Sequence, residues 1–599
     1  MVTAVKTPVI RYRPVPPEGA GLTALPPLLQ RIYAARGVRH ADELRHGLDQ
    51  LPPPTTMLGI EPALDLLVTA LSEQWRILIV GDYDADGATS TALGLLALSA
   101  MGCADVDYLV PDRFVYGYGL TPAIVELACE RRPDLIITVD NGIASIDGVA
   151  AARAAGIRVL ITDHHLPGDE LPQADAIVNP NQPGCGFGDK TLAGVGVFFY
   201  LLTALRSRLR ELGWFTRTGR AEPNMAQWLD LVALGTVADV VALEHNNRIL
   251  VHQGLQRIRQ GRCRPGILAL LRRAGRDPER VVAADLGFAV GPRLNAAGRL
   301  DDMSIGIQCL LAESARADEW AGMLDELNRD RRTIEADMQE QALTLLSQLT
   351  LDHSNDLPWG LCLHQADWHP GVVGLLASRI KDRVHRPVIA FAAADEHSRE
   401  LKGSARSINA VHIRDVLATI AARHPGLIDR FGGHAAAAGL TLAKERLEAF
   451  QQAFDEEIRR QLQPGDLEAE IWCDGELETH DFSLDTAWQL RNAGPWGHHF
   501  PEPLFEGEFL IRQQRLVGER HLKLVVSPVK APSLVLDAIA FFIDTELWPN
   551  PSMERLRLVY KLDINEFRGE INLQLLVSHL LPLSGDRTVS VKEAGVVES

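Results

Sequence analysis

The stretch Ile77–Ser90, ILIVGDYDADGATS, constrains the fold of this chain more than any other. An apolar run from Ile77 to Val80 ends at Gly81 and is followed by Asp82, Asp84 and Asp86 in alternation. Gly87 then opens into Ala88–Met101, a good helix former. The pattern is a buried strand, a tight acidic turn and a helix start. In an open α/β sheet, ligand sites lie beyond the carboxyl ends of the strands. Three carboxylates so close in sequence repel one another, and a hard cation such as Mg2+ or Mn2+ would neutralise them. The plainer reading, in which each Asp caps the following helix, explains one such residue more readily than three.

At 599 residues the chain exceeds a single core and is expected to hold several domains. No stretch approaches the ~18–20 apolar residues of a membrane span. The first residues, MVTAVKTPVIRYRP, lack the apolar run of a secretory signal. Seven scattered cysteines, without a C-x-x-C pair, point to reduced thiols in the cytoplasm rather than disulfides or a zinc-thiolate site. A net charge of −18 excludes a simple basic nucleic-acid binder. If nucleic acid is the ligand, local basic surface and metal ions must hold it.

Residues 1–70 are Pro-rich and are expected to form an extension packing on the catalytic domain. From Arg76, strands at 76–80, 106–110, 135–139 and 158–161 alternate with helices, the pattern of a parallel α/β sheet. This first domain is placed at 71–312. Residues 313–350 are rich in Glu, Arg, Leu and Gln and read as one connecting helix, spanning roughly 50 Å. A smaller α/β domain follows at 351–463. Short alternating strands over 464–582 suggest a small β-barrel, an OB-fold, before a tail at 583–599.

Two more strands end in carboxylates. Leu135–Val139 leads to Asp140-Asn141-Gly142, and Arg158–Thr162 leads to Asp163-His164-His165. Neighbouring strand ends can bring these side chains together, and an oxygen-rich site with one or two imidazoles suits Mn2+ or Mg2+. Trp228–Val237 is an apolar run closing on Ala238-Asp239, and a carboxylate in such a setting needs a partner.

Together, DYDADG, VDNG, DHH and GTVAD resemble the four phosphoesterase motifs of the DHH superfamily, and GGHAAAAG at 432–439 resembles the signature of its DHH-associated domain. PDRFVYGYGL, GPRLNAAGRL, WHPGVVGLLASRI and KGSARS are similar to segments of its single-strand-specific 5′→3′ exonuclease branch, over about residues 70–580. The resemblance implies a centre of two Mn2+ or Mg2+ ions held by Asp84, Asp86, Asp140, His164 and Asp239, with Asp140 bridging. Asp82 is either a ligand or a supporting group. His165 resembles the group that stabilises the phosphate or leaving oxygen, and Asp163 one that orients a histidine. No G-x-S-x-G or Cys-His signature suggests a covalent nucleophile.

Ser404 and Arg406 lie two apart, on one face if this is a strand, where Arg can clamp phosphate oxygens. Gly432-Gly433-His434 reads as a helix start offering backbone N–H groups to an anion. By resemblance these residues, with Arg113, surround a 5′ end. His369 is assigned to substrate as well, and so are Arg293, Asn295 and Arg299, read as a Gly-flanked loop. The basic stretch 257–280 is open to strand binding or to a solvated helical face, and Trp496 and Phe500 to base stacking or core packing. His498-His499-Phe500 departs from the family pattern. The expected activity is metal-dependent 5′→3′ hydrolysis of single-stranded DNA to nucleoside 5′-monophosphates, by a monomer without membrane attachment. The resemblance adds a single-strand-binding protein and a repair helicase as partners. The rival activities are a phosphodiesterase on short or cyclic nucleotides and an inactive replication scaffold, the latter disfavoured because every matching ligand is present.

Overall fold

The computed structural model describes residues 8–16, 21–112, 115–352, 357–393, 398–567 and 569–583. Among these, Arg45–Ala469 and Pro495–Phe500 form one compact unit, and the remaining segments form a second. Arg113 and the tail from 584 lie outside the described residues.

The second unit contains both ends of the described chain. Strand β1 (Val9–Tyr12) pairs in parallel with β12 (Glu470–Cys473). The expected extension over 1–70 is therefore divided, because backbone pairing at β1 commits the segment before residue 45 to the C-terminal region. Asp474 fixes that commitment: its oxygens accept from Arg36 Nη1 at 2.7 Å and Nη2 at 3.1 Å, with both side chains 1% exposed.

In the first unit, β2 (Ile77–Gly81), β3 (Val106–Leu109), β4 (Leu135–Val139), β5 (Arg158–Thr162) and β6 (Ala176–Val178) form a parallel sheet in the order β3-β2-β4-β5-β6. β2 and β4 are buried throughout, as expected for parallel strands covered on both faces. The order reverses between β2 and β4, which makes the crevice at their carboxyl ends the topological switch point. Asn141 closes that crevice by donating to the Val80 carbonyl at 3.1 Å and the Val139 carbonyl at 2.9 Å.

Helix Ser314–Asp352 connects this domain to a mixed sheet of β7 (Leu361–His364), β8 (Val388–Ala393), β9 (Glu400–Arg406), β10 (Arg430–Gly433) and β11 (Ala437–Ala443). Its order is β10-β11-β9-β8-β7. In the second unit, β13 (Phe505–Val517), β14 (His521–Pro528), β15 (Leu536–Ala540), β16 (Arg555–Phe567) and β17 (Glu570–Pro582) close into a barrel in the order β13-β14-β15-β17-β16. Among the described residues of the barrel, β15 and β17 pair in parallel and the other neighbours antiparallel. All seven cysteines are unpaired thiols. Among the described residues no helix is long and apolar enough to cross a membrane.

Removing one partner of a buried ion pair leaves the other charge uncompensated, at a cost of about 3–5 kcal/mol. Asp474→Ala is therefore expected to destabilise the second unit by about that amount. Urea unfolding followed on that unit should show a lower midpoint at unchanged slope.

Candidate metal centre

The acidic turn is built by the strand-to-helix junction after β2. Helix Ala85–Met101 starts earlier than its sequence suggests, with Asp84 as its N-cap. Asp84 Oδ1 accepts from the N–H groups of Asp86 at 2.9 Å and Gly87 at 3.0 Å. Capping occupies one oxygen of Asp84 and leaves the other available to a cation. Asp86 is held from outside the motif: its carboxylate accepts from Gly194 N at 2.6 Å and Val195 N at 3.0 Å, the first residues of helix Gly194–Glu211. A helix N-terminus favours negative charge at this position.

Asp140 leaves β4 with φ of +62°, a left-handed conformation uncommon outside glycine. Gly194 leaves room for it, because a Cβ there would lie 2.7 Å from both Cβ and Oδ1 of Asp140. Gly235 does the same for Asp86, with a Cβ 2.7 Å from Asp86 Oδ1. Asp239 caps the C-terminal end of helix Leu229–Ala238. A hydrogen bond to the Leu192 backbone orients the His164 ring. Its Nε2 lies 3.1 Å from Asp140 Oδ1 and 3.5 Å from Asp239 Oδ2.

These side chains form overlapping donor sets. Asp82, Asp84 and Asp140 make one; Asp86, His164 and Asp239 make another; Asp140, His164 and His165 make a third. Within each set the candidate ligand atoms lie within 4.8 Å of one another. Asp140 Oδ1 and His164 Nε2 are buried, and neither has a hydrogen-bond partner among the described residues. Their separation is short, yet they do not satisfy one another. Two buried lone-pair donors facing the same space, ringed by carboxylates, fit a divalent cation with oxygen and imidazole ligands.

The electrostatics agree. Burial, then the Asp84 charge, push the Asp86 carboxyl up to about 7. Burial, reinforced by Asp86 and Asp84, raises Asp140 and Asp239 well above the usual carboxylate range. Burial and the neighbouring His165 lower His164 to about 4, leaving it neutral as a ligand must be. His165 is the opposite case. Burial alone would lower it, but Asp163 outweighs that and brings it up to about 9. Asp163 Oδ1 accepts from His165 Nδ1 at 2.7 Å and from the N–H groups of His164 and His165 at 2.7 and 3.0 Å. Its Oδ2 accepts from Ile143 N at 2.9 Å. Asp163 thus accepts four hydrogen bonds, one of them from the His165 ring.

Of the residues assigned to substrate, His434 reaches this centre, its ring stacked on His165 at 6.3 Å between centroids. Gly432 and Gly433 lie at the end of β10, not at a helix start. Gly433 has φ of +142° and turns the chain into β11, and His434 N donates to the Ala437 carbonyl at 2.8 Å. Ala437 pairs in register with Arg406, so the same hairpin carries His434 and abuts Arg406. Ser404 and Arg406 share one face of β9, with Arg406 Nη1 donating to Ser404 Oγ at 3.1 Å. Both meet the first turn of helix Val373–Val384: a Cβ on Gly374 would lie 2.9 Å from Ser404 Oγ and 3.0 Å from Arg406 Nη2. A hydroxyl, a guanidinium and a helix N-terminus thus lie at one point, groups of the kind that bind anions.

Other assigned residues make contacts within the protein. Arg293, Asn295 and Arg299 lie on helix Gly291–Leu300, not in a loop, because a single proline at its second position is compatible with helix initiation. Arg293 is buried, donating to Asp325 Oδ1 at 2.9 Å and to the Ala289 carbonyl at 2.7 Å. Asn295 Oδ1 accepts from Ala85 N at 2.7 Å and so supports the acidic turn. Arg299 Nη1 donates to the Gly371 carbonyl at 3.3 Å, and His369 Nδ1 accepts from Gly371 N at 3.1 Å; both shape the turn before helix Val373–Val384. Phe500 is buried, stacked on Trp496 at 5.2 Å and covered by Arg248 at 4.2 Å, which is core packing. Sequence reasoning missed Tyr118, whose hydroxyl lies 3.2 Å from the Asp140 carbonyl and 3.3 Å from His165 Nδ1. It also missed the Gly194–Val195 amides; the only signal was a glycine-bearing start to an apolar helix.

The DHH family N-terminal domain matches residues 76–236, the DHHA1 domain 359–460 and the RecJ OB domain 473–579. Fold and site thus define a DHH phosphoesterase with its associated domain and an OB barrel. The single-stranded-DNA-specific exonuclease RecJ of Escherichia coli K12 is 54% identical over 569 residues, covering 94% of this chain and 98% of that protein. The chain belongs to the RecJ family. The crystal structure of RecJ from Thermus thermophilus in complex with Mn2+ is similar with a TM-score of 0.76 at 29% identity, covering 95% of this chain and 79% of that one. The Mg2+ complex gives 0.71 at 27% identity, with 96% and 78% covered.

Carboxyls raised by burial and mutual repulsion must lose their protons to ligate a cation. Mn2+ affinity is therefore expected to increase with pH up to about 7, where Asp86 ionises, with proton release on binding. The sign for stability without metal is the reverse. A raised carboxyl stabilises the fold below its unfolded value and loses that contribution as pH rises to about 7. Calorimetric titration with Mn2+ in buffers of different ionisation enthalpy, across that range, checks the first; metal-free melting temperatures over the same range check the second.

Proposed function

We propose that this chain is a metal-dependent exonuclease that degrades single-stranded DNA from its 5′ end, releasing nucleoside 5′-monophosphates. The observation that carries the reading is the meeting of overlapping cation-binding donor sets with an anion pocket, through the hairpin that holds His434 and abuts Arg406. The RecJ relatives are named for single-stranded-DNA-specific exonuclease activity, and their crystal structures contain Mn2+ or Mg2+. Asp84, Asp86, Asp140, His164 and Asp239 are the proposed ligands, with Asp140 shared between sets and Asp82 adjoining it.

Divalent ions at such a centre activate water and offset the negative charge that develops on a phosphoryl group. The protein supplies the rest. The Asp163 carboxylate orients the His165 ring and favours its protonated form, which suits it to donate a hydrogen bond to a phosphate or leaving oxygen. The Asp140 carbonyl and His165 ring are joined through the Tyr118 hydroxyl, which fixes their relative position. Ser404, Arg406 and the start of helix Val373–Val384 hold the terminal phosphate, and anchoring that end imposes polarity. Residues 71–312 then hold the ions and 351–463 the 5′ end, while the barrel within 464–582 adds a second single-strand surface. A monomer working in the cytoplasm beside a single-strand-binding protein and a repair helicase completes the proposal.

The test uses single-stranded DNA labelled separately at each end, with Mn2+ or Mg2+. Early release of the 5′ label as a mononucleotide, absent with EDTA or duplex, is expected. Intact DNA alongside rapid hydrolysis of dinucleotides would overturn the reading. Arg406→Ala is expected to raise KM for 5′-phosphorylated ends about tenfold or more, the scale of a charge-assisted contact, while Mn2+ affinity is retained. Equal losses on phosphorylated and hydroxyl ends would remove Arg406 from the pocket.

A further inference from the structure

Asp239 is followed and overlain by exposed apolar residues that irregular backbone puts in place. Phe288 is 80% exposed and sits in a π-helical turn, Leu286–Val290. Such turns are rare and occur frequently at functional sites. This one is seated on the last turn of the helix that ends at Asp239. A Cβ on Gly287 would lie 3.1 Å from Val237 Cγ1, and one on Gly291 would lie 3.2 Å from Ala238 Cβ.

Val240, on the other side of Asp239, is 63% exposed with φ of +62°, an outlier for a β-branched residue. The segment 495–500 clamps it there. The His498 imidazole hydrogen-bonds to the Val240 backbone, and Leu243 N donates to the His498 carbonyl at 2.8 Å. Gly497 permits the approach, since a Cβ would meet Leu243 Cδ1 at 2.7 Å. The rings of His498 and His499 lie 4.4 Å apart, and His499 itself is exposed with φ of +60°.

A single exposed apolar residue needs no explanation. Here a π turn packs on the last turn of the helix that ends at one candidate metal ligand, a left-handed residue follows that ligand, and Phe288 and Val240 are exposed there. A strand whose phosphate lies at Asp239 must place a base within one nucleotide of that corner. Every base has a π-face, so an aromatic ring there serves an enzyme that must accept any sequence. We propose that Phe288 is a stacking platform for a nucleobase of the bound strand, with Val240 and the His498–His499 pair as its neighbouring wall. This inference rests on the exonuclease reading above.

The test is equilibrium binding by fluorescence anisotropy in Mn2+. The 5′-phosphorylated oligonucleotides carry non-hydrolysable, charge-preserving methylenephosphonate linkages, and one nucleotide at a time is made abasic. Wild-type affinity is expected to fall about tenfold at one position near the 5′ end. Phe288→Ala, at unchanged melting temperature, is expected to lose about tenfold on the intact strand and to stop responding to that abasic position. Phe288→Trp should keep both the affinity and the response. Wild-type affinity for the intact strand in Phe288→Ala, or a full abasic response retained in that variant, overturns the proposal. Wild-type protein that does not bind the intact strand overturns the exonuclease reading as well, and is recognised before any variant is made.

Discussion

Mutual repulsion among five buried or half-buried carboxylates is the constraint on which the catalytic domain is built. Asp82, Asp84, Asp86, Asp140 and Asp239 converge where β2 and β4 diverge in topology. Two like charges about 4 Å apart cost roughly 4 kcal/mol at an effective dielectric near 20. A few such pairs rival the ~5–15 kcal/mol by which a whole domain is stable. The fold tolerates the cluster through carboxyls that burial holds above their usual range, through backbone N–H groups aimed at Asp84 and Asp86, and through its fit to divalent cations.

Much of the surrounding architecture follows from bringing those groups together. Gly194 and Gly235 stand at points where a methyl group would strike Asp140 or Asp86. Asp140 accepts a left-handed backbone, and Asn141 laces the adjoining strand ends. Asn295, from a motif far along the chain, supports the Ala85 amide that starts the helix. Strain and close packing of this kind are stored where function over-determines the geometry.

The parallel sheet and its acidic strand ends were legible because burial on both faces writes continuous apolar runs, and a carboxylate after such a run stands out. Residues 291–300 were misread as a loop because their two glycines and proline mimic a turn, whereas Pro292 sits where a helix tolerates it. Gly432-Gly433 was read as a helix start; the β10–β11 pairing that makes it a hairpin is tertiary information. The same holds for Arg293, whose partner Asp325 lies on the long connecting helix, and for β1, whose partner β12 comes only after both α/β domains have been completed.

A net charge of −18 makes long-range steering of DNA toward this protein unfavourable. Binding must therefore be decided at short range, where the sign of the field is local. Divalent cations bound by the carboxylate sets would invert the local charge there, and the Arg406 guanidinium beside Ser404 would add a second positive point. His165, hydrogen-bonded to Asp163, lies next to the first, and the His434 ring stacked on it belongs to the hairpin that abuts Arg406. On the proposed reading, a strand end is attracted where ions, the His165 ring and the Arg406 guanidinium act together, against the net negative charge of the chain. Acidity that would disqualify a general nucleic-acid binder thus becomes a source of selectivity for a chain end.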